Sequence, residues 1–180
     1  MATELDGHAM AIIPELEGTT PWWLYAAIDQ IGDAIQPEWE VFEWGSGGST
    51  LWFAQRARFV TSYEHDLAWC NKTMGELAQY GLSNAIVEYQ PNLDVYAEAI
   101  LDYAEPFDLI SIDGRNRAGC LCCAVGMVKP GGYLVLDNSE REQYQAAMRL
   151  YDGWQRWDYA KTPDQAGYAE WCSTVWRKAE

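Results

Sequence analysis

"VFEWGSGGSTLWFA" (residues 41–54) places glycine, serine and threonine between the strand-like "EVFEW" (40–44) and the helix-like "STLWFAQRA" (49–57). Gly45 and Gly47 let the chain turn sharply and leave its backbone open to close approach. A glycine turn between a strand and a helix is a context in which backbone N–H groups receive a nucleotide. The dinucleotide fingerprint asks for a third glycine where Thr50 stands. Spacing alone therefore leaves two readings, a tight connection and a ligand cradle. Glu43, two residues before Gly45, is out of place beside a pyrophosphate and suits a ligand with positive charge.

Downstream, strand-like and helix-like segments alternate. "FVTSYEHD" (59–66) precedes the helical "LAWCNKTMGELAQYG" (67–81), which Gly81 closes, and "AIVEYQ" (85–90) precedes "LDVYAEAILDYA" (93–104). "FDLISIDG" (107–114) precedes "AGCLCCAVGMV" (118–128). A "KPGG" turn (129–132) and the strand "YLVLDN" (133–138) lead into the helix "SEREQYQAAMRLYDG" (139–153). "WQRWDYA" (154–160) and "EWCSTVWRK" (170–178) read as two strands with no helix between them. Upstream, "TTPWWLYAAIDQIGDAI" (19–35) reads as a helix with Thr20 as N-cap and Pro21 in its first position. The middle strands are apolar without alternation; "FDLISI" is broken only by Asp108 and Ser111. Such strands need cover on both faces. The expected class is α/β: a Rossmann-like, doubly wound, mostly parallel seven-stranded sheet, with helices on both faces and a C-terminal antiparallel hairpin. Ligands of such sheets bind beyond the carboxyl ends of the strands, so strand-ending residues carry the functional expectations.

A chain of 180 residues can bury a sizeable core as one domain, read here as an N-terminal helical segment over 1–40 and a Rossmann-like core over 41–180. Acidic residues outnumber basic ones by 27 to 12, which argues against a nucleic-acid partner. "MATELDGHAM" lacks the apolar centre of a secretory signal, and no run reaches the length of a membrane helix. Five cysteines, three of them in "CLCC", do not suit a disulfide framework or paired zinc spacing. A cytoplasmic protein that binds neither membrane nor nucleic acid is the expectation. Ten tryptophans supply core and, where exposed, a platform for a sugar or a ring.

"VFEWGSGGSTLWFA", "SYEHD", "FDLISIDG" and "VKPGGYLVLDN" stand in an order and spacing that resemble the class I S-adenosylmethionine-dependent methyltransferases. The resemblance covers residues 41–140, and the closing strand pair looks like that family's antiparallel hairpin. One departure is Ser49, where the G-x-G-x-G loop has its third glycine. The resemblance implies S-adenosyl-L-methionine as cofactor. Glu43 and the loop residues Gly45, Ser46, Gly47, Ser49 and Thr50 would hold its methionine end, Glu64 its ribose hydroxyls, with His65 beside them. Asp113 would border the same site. Glu64 also reads as a simple cap on the helix that follows it.

Methyl transfer asks the protein to position an acceptor and remove its proton. His8 and His65, the two histidines, are poorly placed for that. Asp113 ends the fourth strand, and Asp137 with Asn138 ends the fifth. Their oxygens suit magnesium or manganese, an arrangement similar to the metal triad of catechol-type O-methyltransferases, although Asn116 stands where those have a lysine. The other reading pairs Asp113 with Arg115 or Arg117 and leaves Asp137 and Asn138 as helix caps. Arg115, Arg117 and Arg141 follow the same strand ends and suit an anionic acceptor. The functional expectation is O-methylation of a small or glycan-like hydroxyl acceptor, with Asp113 and Arg115 as the catalytic residues. The alternative is a cofactor-binding protein without transferase activity.

Overall fold

The computed structural model describes Ile13, Leu16 and residues 19–163, 166, 167 and 169–180. The first part of the expected N-terminal helical segment, with His8, lies outside the described residues. Seven strands form one sheet in the order β3-β2-β1-β4-β5-β7-β6. They are β1 (Glu40–Trp44), β2 (Phe59–Glu64), β3 (Ala85–Tyr89), β4 (Phe107–Ile112), β5 (Val128–Asp137), β6 (Gln155–Ala160) and β7 (Cys172–Arg177). The first five run parallel, and β7 lies antiparallel between β5 and β6. This is the expected doubly wound sheet with its closing hairpin.

Successive side chains of a strand point to opposite faces, and here both faces are covered. On one face Val41, Val60, Leu109, Val135 and Val175 pack beneath helices α1 (Tyr25–Ala34), α2 (Gly48–Ala54) and α3 (Leu67–Gln79). On the other, Phe42, Ile110, Leu134 and Trp176 pack beneath α4 (Leu93–Glu98), α5 (Arg117–Ala124) and the short α6 (Gln145–Met148). That double cover explains apolar runs without alternation. Cys120 packs into this second core, Cys122 is exposed, and all five cysteines are free thiols. No helix among the described residues is long and apolar enough to cross a membrane.

Several local expectations are corrected. The first helix begins at Tyr25 rather than Pro21, because Leu24 is extended and donates its N–H to Ser173 Oγ at 3.2 Å. Trp23 is thereby buried against Phe53, while Trp22 stays 74% exposed. "KPGG" is a bulge inside β5 rather than a turn before it: Phe107 pairs with Val128, and Leu109 already pairs with Tyr133. Asp108 explains the break in the apolar run, since its Oδ2 accepts from Lys129 Nζ and from the Glu40 N–H, both at 2.8 Å. The single helix expected over 139–153 is a short α-helix flanked by 3-10 turns at Glu142–Tyr144 and Arg149–Tyr151, although Tyr144, Ala147, Met148 and Tyr151 keep its buried face.

Strand order reverses between β1 and β4, and there the two loops touch. Gly45 has φ +98, and a Cβ on it would stand 2.7 Å from the backbone nitrogen of Gly114. Its N–H donates to Tyr63 O at 2.9 Å, while the Asp113 N–H donates to Trp44 O at 3.0 Å. The space on the Cβ side of Gly45 is filled by the neighbouring loop. Gly45→Ala is therefore expected to destabilise the fold by about 3 kcal/mol through strain and overpacking. Gly75→Ala, in open space on α3, should stabilise it by roughly 0.5–1 kcal/mol. Urea unfolding of the two variants should move the midpoint in opposite directions; a neutral Gly45→Ala would refute the packing account.

Candidate functional site

A cleft of about 760 Å³ opens at the carboxyl ends of β1, β2, β4 and β5. Of the residues singled out from the sequence, Gly45, Ser46, Gly47, Ser49, Glu64, His65, Asp113, Arg115, Asp137 and Asn138 line it. Glu43 and Thr50 are fully buried behind the loop.

Glu43 braces the loop from below. Ser49 Oγ donates to its Oε2 at 2.8 Å, Thr50 Oγ1 makes a short hydrogen bond to its Oε1, and Thr50 Oγ1 accepts the Gly47 N–H at 2.9 Å. Loss of water around this carboxyl pushes its pKa up to about 7, against the opposing pull of Thr50, Ser49 and Ser62. Glu64 braces the loop from the side. Its Oε2 accepts from the Ser46 N–H at 3.0 Å and, more weakly, from Ser46 Oγ at 3.3 Å. Its Oε1 accepts from the N–H groups of His65 and Asp66 at 2.8 and 2.9 Å. His65 Nδ1 lies 2.7 Å from the same oxygen, out of line for a hydrogen bond. The helix-cap role belongs to Asp66, whose Oδ1 accepts from the Trp69 N–H.

Sequence reasoning passed over Trp69 and Trp171. Trp69 Nε1 donates to Ser46 O at 2.5 Å and would lie 3.2 Å from a Cβ on Gly47, with Trp22 edge-on to the ring at 6.2 Å. Trp171 Nε1 donates to Asp137 Oδ1 at 2.7 Å. A tryptophan in the first turn after a strand-ending acid was the only local signal for Trp69; for Trp171 there was none.

At the β4/β5 end, the expected metal site is corrected. Arg117 NH2 lies 2.9 Å from Asp113 Oδ1, and its NH1 lies 3.6 Å from Asp137 Oδ2. Asp137 Oδ1 also accepts from Ser173 Oγ at 2.8 Å. A guanidinium between two carboxylates repels a divalent ion, and Asp113 Oδ1 and Asp137 Oδ1 are each committed to a donor, so this set does not fit magnesium or manganese. Among the described residues no group of His, Cys, Asp and Glu converges on a metal position. Burial pushes both aspartates up, and Asp137 adds its repulsion to Asp113 while Arg117 opposes the rise in both.

No family model and no curated protein matches the chain. Solved structures do match. An rRNA methylase from Streptococcus thermophilus superposes with a TM-score of 0.64 at 16% identity, over 84% of this chain and 93% of that one. An O-methyltransferase of tomaymycin synthesis from Streptomyces achromogenes, in complex with S-adenosylmethionine, gives 0.62 at 16% identity over 78% and 73%. A precorrin 8w decarboxylase from Methanobacterium thermoautotrophicum gives 0.61 at 17% identity over 82% and 84%. The chain is thus similar in fold to class I methyltransferases, and the three proteins differ in what they act upon.

The buried carboxyl of Glu43 has a consequence for stability. Its pKa is raised, so between pH 4.5 and about 7 the folded state holds a proton that the unfolded chain has released. That stabilisation is complete below pH 4.5 and is lost as pH rises through 7. Relative to Glu43→Gln, the wild type should lose roughly 3 kcal/mol across this window, with the other titrations cancelling in the difference. Urea unfolding of both proteins from pH 4.5 to 8 measures it; a constant difference would show that Glu43 is ionised throughout.

Proposed function

We propose that the protein is an S-adenosylmethionine-dependent methyltransferase acting on a hydroxyl of a small acceptor. The observation that carries this reading is Glu64, a carboxylate at the end of β2 that faces the cleft and is tied directly to the glycine loop. The site suits the cofactor chemically. Glu64, Asp66, Asp113 and Asp137 on the cleft wall match a ligand with net positive charge. The weak Ser46 Oγ contact to Glu64 is replaceable by a ribose hydroxyl, because Ser46 Oγ also lies 3.2 Å from Thr73 Oγ1. When bound, the cofactor supplies a methyl group on a positively charged sulfur, which an acceptor oxygen can displace.

In this reading Gly45, Ser46, Gly47 and Ser49 form the wall against the methionine end, while Glu43 and Thr50 keep that wall in place. Glu64 and His65 border the ribose. Asp113 Oδ1 is engaged by Arg117, which leaves Oδ2 to take the proton that the acceptor hydroxyl gives up. The upward shift of this buried acid suits a base that works near neutral pH. Arg115, exposed at the cleft edge, anchors the acceptor. The acidity of the chain supports a small acceptor over a nucleic acid.

Calorimetry with S-adenosylmethionine, S-adenosylhomocysteine and NAD tests the assignment. Binding of the two adenosyl ligands and none of NAD is expected. Glu64→Ala should weaken S-adenosylhomocysteine by roughly 1.5–3 kcal/mol, the range for hydrogen bonds to a charged group. NAD binding alone, or undiminished affinity in a folded Glu64→Ala protein, would sink the reading.

A further inference from the structure

The β4/β5 end of the cleft contains a polar side chain that neither the glycine loop nor the Arg117 cluster engages. Asn138 is 8% exposed and lines the cleft. Its side-chain amide has no hydrogen bond among the described residues; only its backbone is engaged, with its carbonyl accepting from the Arg141 N–H at 3.3 Å. Its φ of +52 is unusual for a residue other than glycine. The residue is nearly buried while its amide opens on the cleft, where a ligand can supply the missing partners, and an amide offers both a donor and an acceptor, as a hydroxyl requires.

Two further features surround it. Trp171 presents a fixed ring: its N–H is held by Asp137, and Gly167 packs so closely that a Cβ there would lie 2.6 Å from the ring. Arg115 and Arg141 line the same cleft. Arg115 has no acidic partner among the described residues, and Arg141, whose side chain is 42% exposed, stands 3.8 Å from Glu140. Glu140, Glu142 and Glu170 line a second hollow with Arg141, so a long polyanion is repelled there, while Arg115 keeps its charge for a single carboxylate.

We infer that Asn138 is an acceptor-binding residue and that the acceptor is a hydroxylated aromatic acid. Its ring lies against Trp171, its hydroxyl bonds the Asn138 amide, and its carboxylate pairs with Arg115 or Arg141. The inference rests on the methyltransferase reading, which gives the β1/β2 half of the cleft to the cofactor and leaves this half to the acceptor.

The test is calorimetry on protein saturated with S-adenosylhomocysteine, using 3-hydroxybenzoate as probe and benzoate, 3-hydroxybenzyl alcohol and methyl glucoside for comparison. 3-Hydroxybenzoate should bind, and removing either its hydroxyl or its charge should weaken it about tenfold. Asn138→Gly, which keeps the backbone conformation, should weaken 3-hydroxybenzoate about tenfold, leave benzoate unchanged, and not alter the affinity for S-adenosylhomocysteine. Arg115→Ala combined with Arg141→Ala should erase the preference for the acid over the alcohol. Equal binding of alcohol and acid, a preference for methyl glucoside, an unaltered 3-hydroxybenzoate affinity in Asn138→Gly, or no probe binding to the loaded protein would each overturn the inference. Failure of S-adenosylhomocysteine itself to bind would instead overturn the reading beneath it.

Discussion

Arg117 is the tie on which the carboxyl ends of β4 and β5 depend. Its guanidinium donates to the carbonyls of Gly114, Asp113 and Asp137 and to the carboxylate of Asp113. Those carbonyls lie where the strand ladder stops, and a buried carbonyl without a donor is costly. The same charge stands between two acids that burial alone would drive to the neutral form. The glycine loop inherits its place from this tie, because Gly45 rests directly on Gly114. Replacing the arginine would leave two buried carboxyls facing each other with no cation between them, the situation in which a broken buried pair is most destabilising.

On the face beneath α1 to α3, polarity rises in steps of two residues towards the cleft. Val60, Val41 and Leu109 form an apolar row, and above it come Ser62, Glu43 and Ser111, neighbours in register. The next row holds Glu64, Gly45 and Asp113, at the cleft itself. Ser62 and Ser111 flank Glu43 in that row, Ser62 favouring its ionised form, and the Ser111 hydroxyl has no partner among the described residues. The buried carboxyl therefore belongs to a polar layer rather than to the ligand surface, and it acts on the loop through Ser49 and Thr50.

Much of the fold was legible because apolar runs without alternation admit few arrangements: strands buried on both faces, joined by helices, with a hairpin where the helices stop. The strand-ending acids were legible for the same reason, since Glu64, Asp113 and Asp137 break such runs at the edge where ligands bind. What escaped were features fixed by distant partners. The start of α1 depends on Ser173, far along the chain, and Gly114 packs against the Cβ side of Gly45. The sequence left Asp113 open to a metal or to pairing with Arg115 or Arg117, and the structure has the Arg117 pair; what spacing does not show is that the same side chain also reaches Asp137. Trp171 reaches Asp137 only once β7 has paired with β5.

The strand order also has a bearing on the protein's birth. β7, made after β6, sits inside the sheet between β5 and β6, and β6 pairs with no other strand among the described residues. Val175 and Trp176 complete the two cores from opposite faces of that strand. While the chain is still being synthesised, β6 has nowhere to dock and both cores are open along one side, exposing apolar surface of the kind that invites aggregation. The fold can close only once Cys172–Arg177 are free of the ribosome, so a nascent chain that stalls before that strand emerges should be a client for chaperones rather than a nearly finished protein.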